Sequence, residues 1–132
     1  MRYLSIDDVL ALHEYAVERF GGSFGLLDRN KLEASVAAPM QNVFDTELYP
    51  DLWSKAAILF FLLIKNHCFI DGNKRVALYA LLRFLEINGY TIFGVTNDEL
   101  YQFTIDAANS VLNKDDITAW LKQHTVPLET PV

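Results

Sequence analysis

Five residues able to do chemistry fall within nine positions, in the middle of the most apolar part of this 132-residue chain. They are His67, Asp71, Asn73, Lys74 and Arg75, in the stretch NHCFIDGNKRVAL at 66–78. His67 can take a proton near neutral pH. Asp71 is the one carboxylate in a segment that also holds Lys65, Lys74, Arg75 and Arg83. A hard carboxylate beside phosphates is a common way to hold Mg²⁺, with water and phosphate oxygens completing the shell. Gly72 permits dihedrals closed to other residues, and Asn73 is expected to cap the helix that follows. The first turn of that helix presents free N–H groups and a positive dipole end, where an anion can sit. Lys74 and Arg75 add charge there, and an Arg can grip two phosphate oxygens at once. Phe69 should point the other way and anchor the loop in the core. A base, a metal ligand, an anion cradle and charge clamps are the parts of a phosphoryl- or nucleotidyl-transfer site. Each residue alone has an ordinary structural use; their concentration in one loop between two core helices points to chemistry. Lys65 either helps to bind phosphate or ends its helix in solvent.

The elements that must position this loop read as helices almost throughout. Ser5 with Asp8 marks an N-terminus, after which Ile6, Val9, Leu10, His13, Val17 and Phe20 recur at helical spacing until Gly21-Gly22. Asp28 can cap a short helix through Leu32 and Val36 that Pro39 ends. Residues 40–51, MQNVFDTELYPD, have no helical period and read as a loop or short hairpin. Leu52 to Asn66 is apolar nearly all round and belongs at the centre. Val76 to Asn88 resumes as a second apolar helix, with Gly89 as its stop. Thr96 and Glu99 form a capping box before Leu100, Phe103, Ala107 and Val111. Asp115 is expected to cap a last helix carrying Ile117, Trp120, Leu121 and His124. TIFGV at 91–95 alone has strand-like composition. The chain from Thr125, with Pro127 and Pro131, is expected to fray. The reading is an all-α, compact single domain over 1–126, with a short flap loop or hairpin and a flexible tail at 127–132.

Composition narrows the function. The net charge is −6; residues 65–83 carry +3 and the rest −9. Nonspecific nucleic-acid binding needs a basic footprint, so direct DNA binding is not expected, and a local basic spot suits a small anionic ligand. Cys68 is the lone cysteine, so no internal disulfide can form. The longest apolar run, AAILFFLLI at 56–64, has nine residues, against about 20 needed to span a bilayer. MRYLSIDDVL lacks the form of a signal peptide. A cytoplasmic protein without membrane attachment is expected. His13, His124 and Cys68 read as structural residues.

HCFIDGNKR resembles the signature of the Fic/Doc (Fido) family, H-x-F-x-(D/E)-(G/A)-N-(G/K)-R. Lys74, and Leu78 where a second Arg would stand, resemble its death-on-curing (Doc) branch. GGSFGLLDRNKLEASVAAP at 21–39, LYPDLWSKAAILFFLLIKNH at 48–67 and ALLRFLEINGY at 80–90 are also similar to family segments, and the likeness spans roughly residues 3–124. The resemblance implies a Fido helical fold and a toxin that transfers phosphate from ATP to a protein hydroxyl, with elongation factor Tu as target and translation arrest as outcome. By position, it implies His67 as general base, Asp71 as Mg²⁺ ligand, and Gly72, Asn73, Lys74 and Arg75 as nucleotide phosphate binders. By the same resemblance, Lys74 in place of Gly implies a reversed nucleotide orientation that would make the terminal phosphate the transferred group. Residues 40–51 match the flap over which a target segment docks. The resemblance also implies a small antitoxin; no internal inhibitory motif of the form (S/T)-x-x-x-E-(G/N) occurs, so restraint is expected from that partner in trans. Two alternatives remain: an AMP-transferase using the same residues, and a non-catalytic module that binds an antitoxin or another partner.

Overall fold

A computed structural model describes residues 1–128. Helix α1 (Ile6–Phe20) opens with the expected reciprocal cap, the Ser5 hydroxyl accepting from the Asp8 N–H and the Asp8 carboxylate from the Ser5 N–H. Helix α2 (Arg29–Ala37) is capped by Asp28 and runs into a single 3₁₀ turn (Ala38–Met40) that contains Pro39. The period-free segment forms a hairpin of two-residue strands, β1 (Asn42–Val43) and β2 (Thr46–Glu47). Phe44 and Asp45 at its tip both have positive φ, 50° and 62°, the pair that a two-residue hairpin turn demands. Helices α3 (Leu52–Lys65) and α4 (Asn73–Ile87) follow, then β3 (Tyr90–Ile92), α5 (Asn97–Ala108), α6 (Lys114–His124) and β4 (Thr125–Pro127).

The apolar α3 is central, as its composition requires, and packs against α2, α4, α5 and α6. Ala56, Ala57, Leu59, Phe60 and Leu63 on it are all but sealed from solvent. Across it runs an aromatic stack, Phe60 on Phe103 at 5.3 Å between centroids, Phe103 on Trp120 at 3.9 Å and Trp120 on His124 at 4.3 Å. Each such pair contributes about 0.5–1.5 kcal/mol beyond its burial, and the stack locks α5 and α6 to α3. His124 also bonds the Trp120 carbonyl through Nδ1 at 2.7 Å, the structural use expected of it. The all-α reading holds; the four strands make two short ribbons.

Three local expectations are corrected. The cap of α6 is Asn113, not Asp115, because Asn113 pairs reciprocally with Asp116 three residues on, whereas Asp115 already lies in the first turn. Val111 lies outside α5 and is exposed, since Ser110 at φ 62° turns the chain away. Residues 125–127 do not fray: they pair antiparallel with β3, Tyr90 opposite Pro127, and the Thr125 hydroxyl accepts the Trp53 indole N–H at 2.7 Å. Of the tail expected at 127–132, residues 129–132 lie outside the described residues. Lys55 was given no role by the sequence pattern, yet it is 2% exposed and donates to the Pro39 carbonyl at 2.9 Å and to Glu47 at 3.0 Å. It ties the hairpin to α3.

Candidate active site

The polar interruption is a loop between α3 and α4, held from below by the core. His67 follows the end of α3 with φ 47°, a left-handed conformation that costs a residue with a Cβ about 1–2 kcal/mol. The reversal sends Cys68 and Phe69 inward, 0% and 2% exposed, and leaves the His67 side chain exposed. Phe69 anchors the loop as expected, its ring stacked on His13 at 3.9 Å and 12°. Burial pushes the Cys68 thiol above its ordinary pKa, so it is a packing residue and not a nucleophile.

Asn73 does not cap α4. The N-cap is Gly72, left-handed at φ 76° and with no side chain to offer. Asn73 is the first helical residue, and its side chain reaches back toward the loop, as helical side chains lean toward the N-terminus. Its Oδ1 accepts the Phe69 N–H at 3.0 Å, and its Nδ2 donates to the Phe69 carbonyl at 2.9 Å. The consequence favours anion binding, because the first turn of α4 is left without a side-chain cap. Asp71 accepts the Gly72 N–H on Oδ1 at 2.9 Å and the Ser23 N–H on Oδ2 at 3.1 Å.

A cleft of about 580 Å³ opens here, lined on one side by His67, Ile70, Asp71, Gly72, Asn73, Lys74 and Arg75. Every motif residue predicted to do chemistry therefore borders one space. The cleft is also lined by Tyr101, Thr104, Ile105 and Ala108 of α5, by Asn109 at its end, and by Ile64 and Leu78. The sequence pattern does not mark this wall, because Tyr101, Thr104 and Asn109 are scattered along a helix and its end and meet the motif loop only in the fold. Lys65 borders the cleft too, but its ammonium is engaged by the Ala108 carbonyl at 3.1 Å and the Ser110 hydroxyl, so it clamps the end of α3 to the end of α5. Lys74 and Arg75 are exposed and, among the described residues, have no carboxylate partner. The Arg75 guanidinium lies over the Phe20 ring at 4.4 Å, which holds its stem while leaving its donors free. The 40–51 hairpin contributes no residue to the cleft lining.

Among the described residues no three His, Cys, Asp or Glu side chains gather into a metal-ligand cluster. Asp71 uses one lone pair on each oxygen for a backbone N–H and keeps the others. One hard carboxylate next to an anion cradle fits Mg²⁺ held largely by water and phosphate and does not fit a self-sufficient metal cage.

A helical bundle that gathers one histidine, one carboxylate and, among the described residues, two cations without carboxylate partners around the start of α4 is an all-α domain with one polar, charged cleft. The family model for the Fic/DOC family matches residues 3–85, and the chain belongs to that family. It is 38% identical over 112 residues to the protein named Toxin Doc of Mycolicibacterium smegmatis, covering 85% of this chain and 78% of that one. It is 31% identical over 123 residues to the Protein kinase doc of Escherichia phage P1, covering 93% of this chain and 95% of that one. Among the described residues no helix is long and apolar enough to cross a membrane.

Proposed function

We propose that this protein is a Doc-type toxin, a cytoplasmic phosphotransferase that moves the terminal phosphate of ATP to a hydroxyl of a protein, with elongation factor Tu as substrate and translation arrest as the result. The observation that carries the reading is the meeting of His67, Asp71, Lys74 and Arg75 on one cleft at the open N-terminus of α4. The names of the two relatives, a toxin and a protein kinase, support it.

The chemistry follows from the side chains. The first-turn N–H groups of α4 from Asn73 onward, with Lys74 and Arg75, bind the nucleotide phosphates and stabilise the charge that builds on the transferred group. Gly72 lets the backbone approach those phosphates, having no Cβ. Asp71 would hold Mg²⁺, whose chemistry when bound is to neutralise phosphate charge. His67 takes the proton of the target hydroxyl; that oxygen bonds to the terminal phosphorus while the bond to the bridging oxygen breaks, and ADP leaves. Lys74 supports terminal-phosphate transfer over adenylate transfer, since its bulk and charge occupy a position in the first turn of α4 where a glycine would leave room. A small antitoxin acting in trans supplies the restraint that the chain itself lacks.

The test is intact-mass spectrometry of purified elongation factor Tu incubated with the protein, ATP and Mg²⁺. The expected result is a gain of one phosphate that is absent with His67→Ala. A gain of one adenylate would overturn the kinase assignment, and no gain would overturn the assigned target.

A further inference from the structure

The motif loop is not self-supporting. The segment that leaves α1, residues 21–28, runs antiparallel beside it. The Cys68 carbonyl accepts the Leu27 and Asp28 N–H groups at 2.7 and 3.1 Å, and the Ile70 N–H donates to the Gly25 carbonyl at 3.1 Å. This segment and α1 reach Asp71 from two directions. On the carboxylate side, Ser23 donates its backbone N–H to Oδ2. Gly22 lies so close that a Cβ there would sit 2.7 Å from the same oxygen, and its φ of 111° suits only glycine. On the main-chain side, His13 Nε2 lies 2.7 Å from the Asp71 carbonyl oxygen. A carbonyl only accepts, so Nε2 is the protonated nitrogen of that ring. His13 is 4% exposed, and the flat stack on Phe69 fixes its plane.

We propose that His13, with the Gly22–Ser23 backbone, is a positioning device for Asp71, fixing which carboxylate lone pairs face the Mg²⁺–nucleotide and so setting the affinity for that complex. The inference rests on the reading of Asp71 as the metal-holding carboxylate. Ser23 and Gly72 each occupy one carboxylate oxygen from the protein side, and His13 prevents the Asp71 peptide from rotating. The lone pairs left over are thereby turned toward the cleft. Outer partners of this sort typically change metal affinity by about 10–100-fold when removed.

Two replacements of His13 separate its donor from its ring. His13→Gln keeps an N–H near the position of Nε2 and loses the stack. His13→Phe keeps the stack on Phe69 and loses the donor. The readout is calorimetric affinity for ATP with and without Mg²⁺, on the full chain, with thermal unfolding as a check of folding. His13→Phe should weaken the Mg²⁺-dependent affinity about tenfold, leaving metal-free ATP binding unchanged, while His13→Gln should stay within about threefold of the parent. Gly22→Ala should fall with His13→Phe, since its Cβ displaces Oδ2. The reverse order, with Gln impaired and Phe normal, would reduce His13 to a packing residue and overturn the proposal. Asp71→Ala is the companion measurement. If it loses the Mg²⁺ dependence while His13→Phe does not, the positioning role is wrong and the reading of Asp71 stands. If Asp71→Ala keeps the dependence, that reading falls and the proposal with it.

Discussion

His67 holds an unfavourable backbone conformation at the point where the cleft needs an exposed imidazole, and replacing it should separate stability from activity. Its φ of 47° costs any residue with a Cβ about 1–2 kcal/mol. Glycine adopts that conformation freely but gives back about 0.5–1 kcal/mol through the greater entropy of its unfolded chain. The difference predicts that His67→Gly is more stable than His67→Ala by about 0.5–1 kcal/mol. For a chain of this size that is a rise of roughly 2–4 °C in the midpoint of thermal unfolding. The imidazole is exposed, so His67→Ala itself should unfold close to the parent. The assay is a set of urea and thermal melts on the three proteins, with phosphate transfer measured in parallel. Both variants should be inactive, with the glycine variant the most stable of the three. A glycine variant no more stable than the alanine one would refute the strain argument.

Three further outcomes are expected. Asn73→Ala removes both bonds to the Phe69 backbone and should lower stability by about 1–3 kcal/mol, with weakened ATP affinity in calorimetry as the loop loosens. Lys55→Met leaves the buried Pro39 carbonyl without its donor and releases Glu47. Stability should fall by about 1–3 kcal/mol, and hydrogen exchange should speed up across residues 41–48. Burial raises the pKa of Asp51, but hydrogen bonds from Ser54 and the charge of Lys122 outweigh it, so the carboxyl sits below its ordinary 3.8. Its contribution to stability is full above that value and is lost as pH falls through the lower folded-state pKa. Asp51→Asn, which keeps an N-cap acceptor, should therefore lose less stability than the parent below pH 3.8, as read by urea melts at falling pH.

What could be read from the sequence is what is local. Ser5 with Asp8, Thr96 with Glu99 and Asp28 announce their helices because a cap and its partner lie within three residues. The apolar circumference of 52–66 announces a buried helix for the same reason. The motif residues stood out by density, and one cleft does receive them. Signals that depend on distant chain were lost. Nothing near Thr125 reveals that Ile92 of β3 waits far back in the chain to pair with it. Gly21 and Gly22 read as a stop to α1, although Gly22 also lets that segment lie against Asp71. Asn73 looked like a cap because asparagine often is one; only the fold brings the Phe69 backbone within its reach. Lys55 gives no sign of burial, since its partners Pro39 and Glu47 reach it only once the hairpin has folded.

Transfer of the terminal phosphate of ATP from this cleft to protein can be followed with a bacterial lysate and two forms of labelled ATP. The parent protein and His67→Ala are each incubated with Mg²⁺ and ATP labelled at either the terminal or the α-phosphate. The expected result is a protein band, beyond the labelling of the lysate alone, that takes label only from the terminal position and only with the parent. Label from the α-phosphate, or terminal label that survives in His67→Ala, would contradict it.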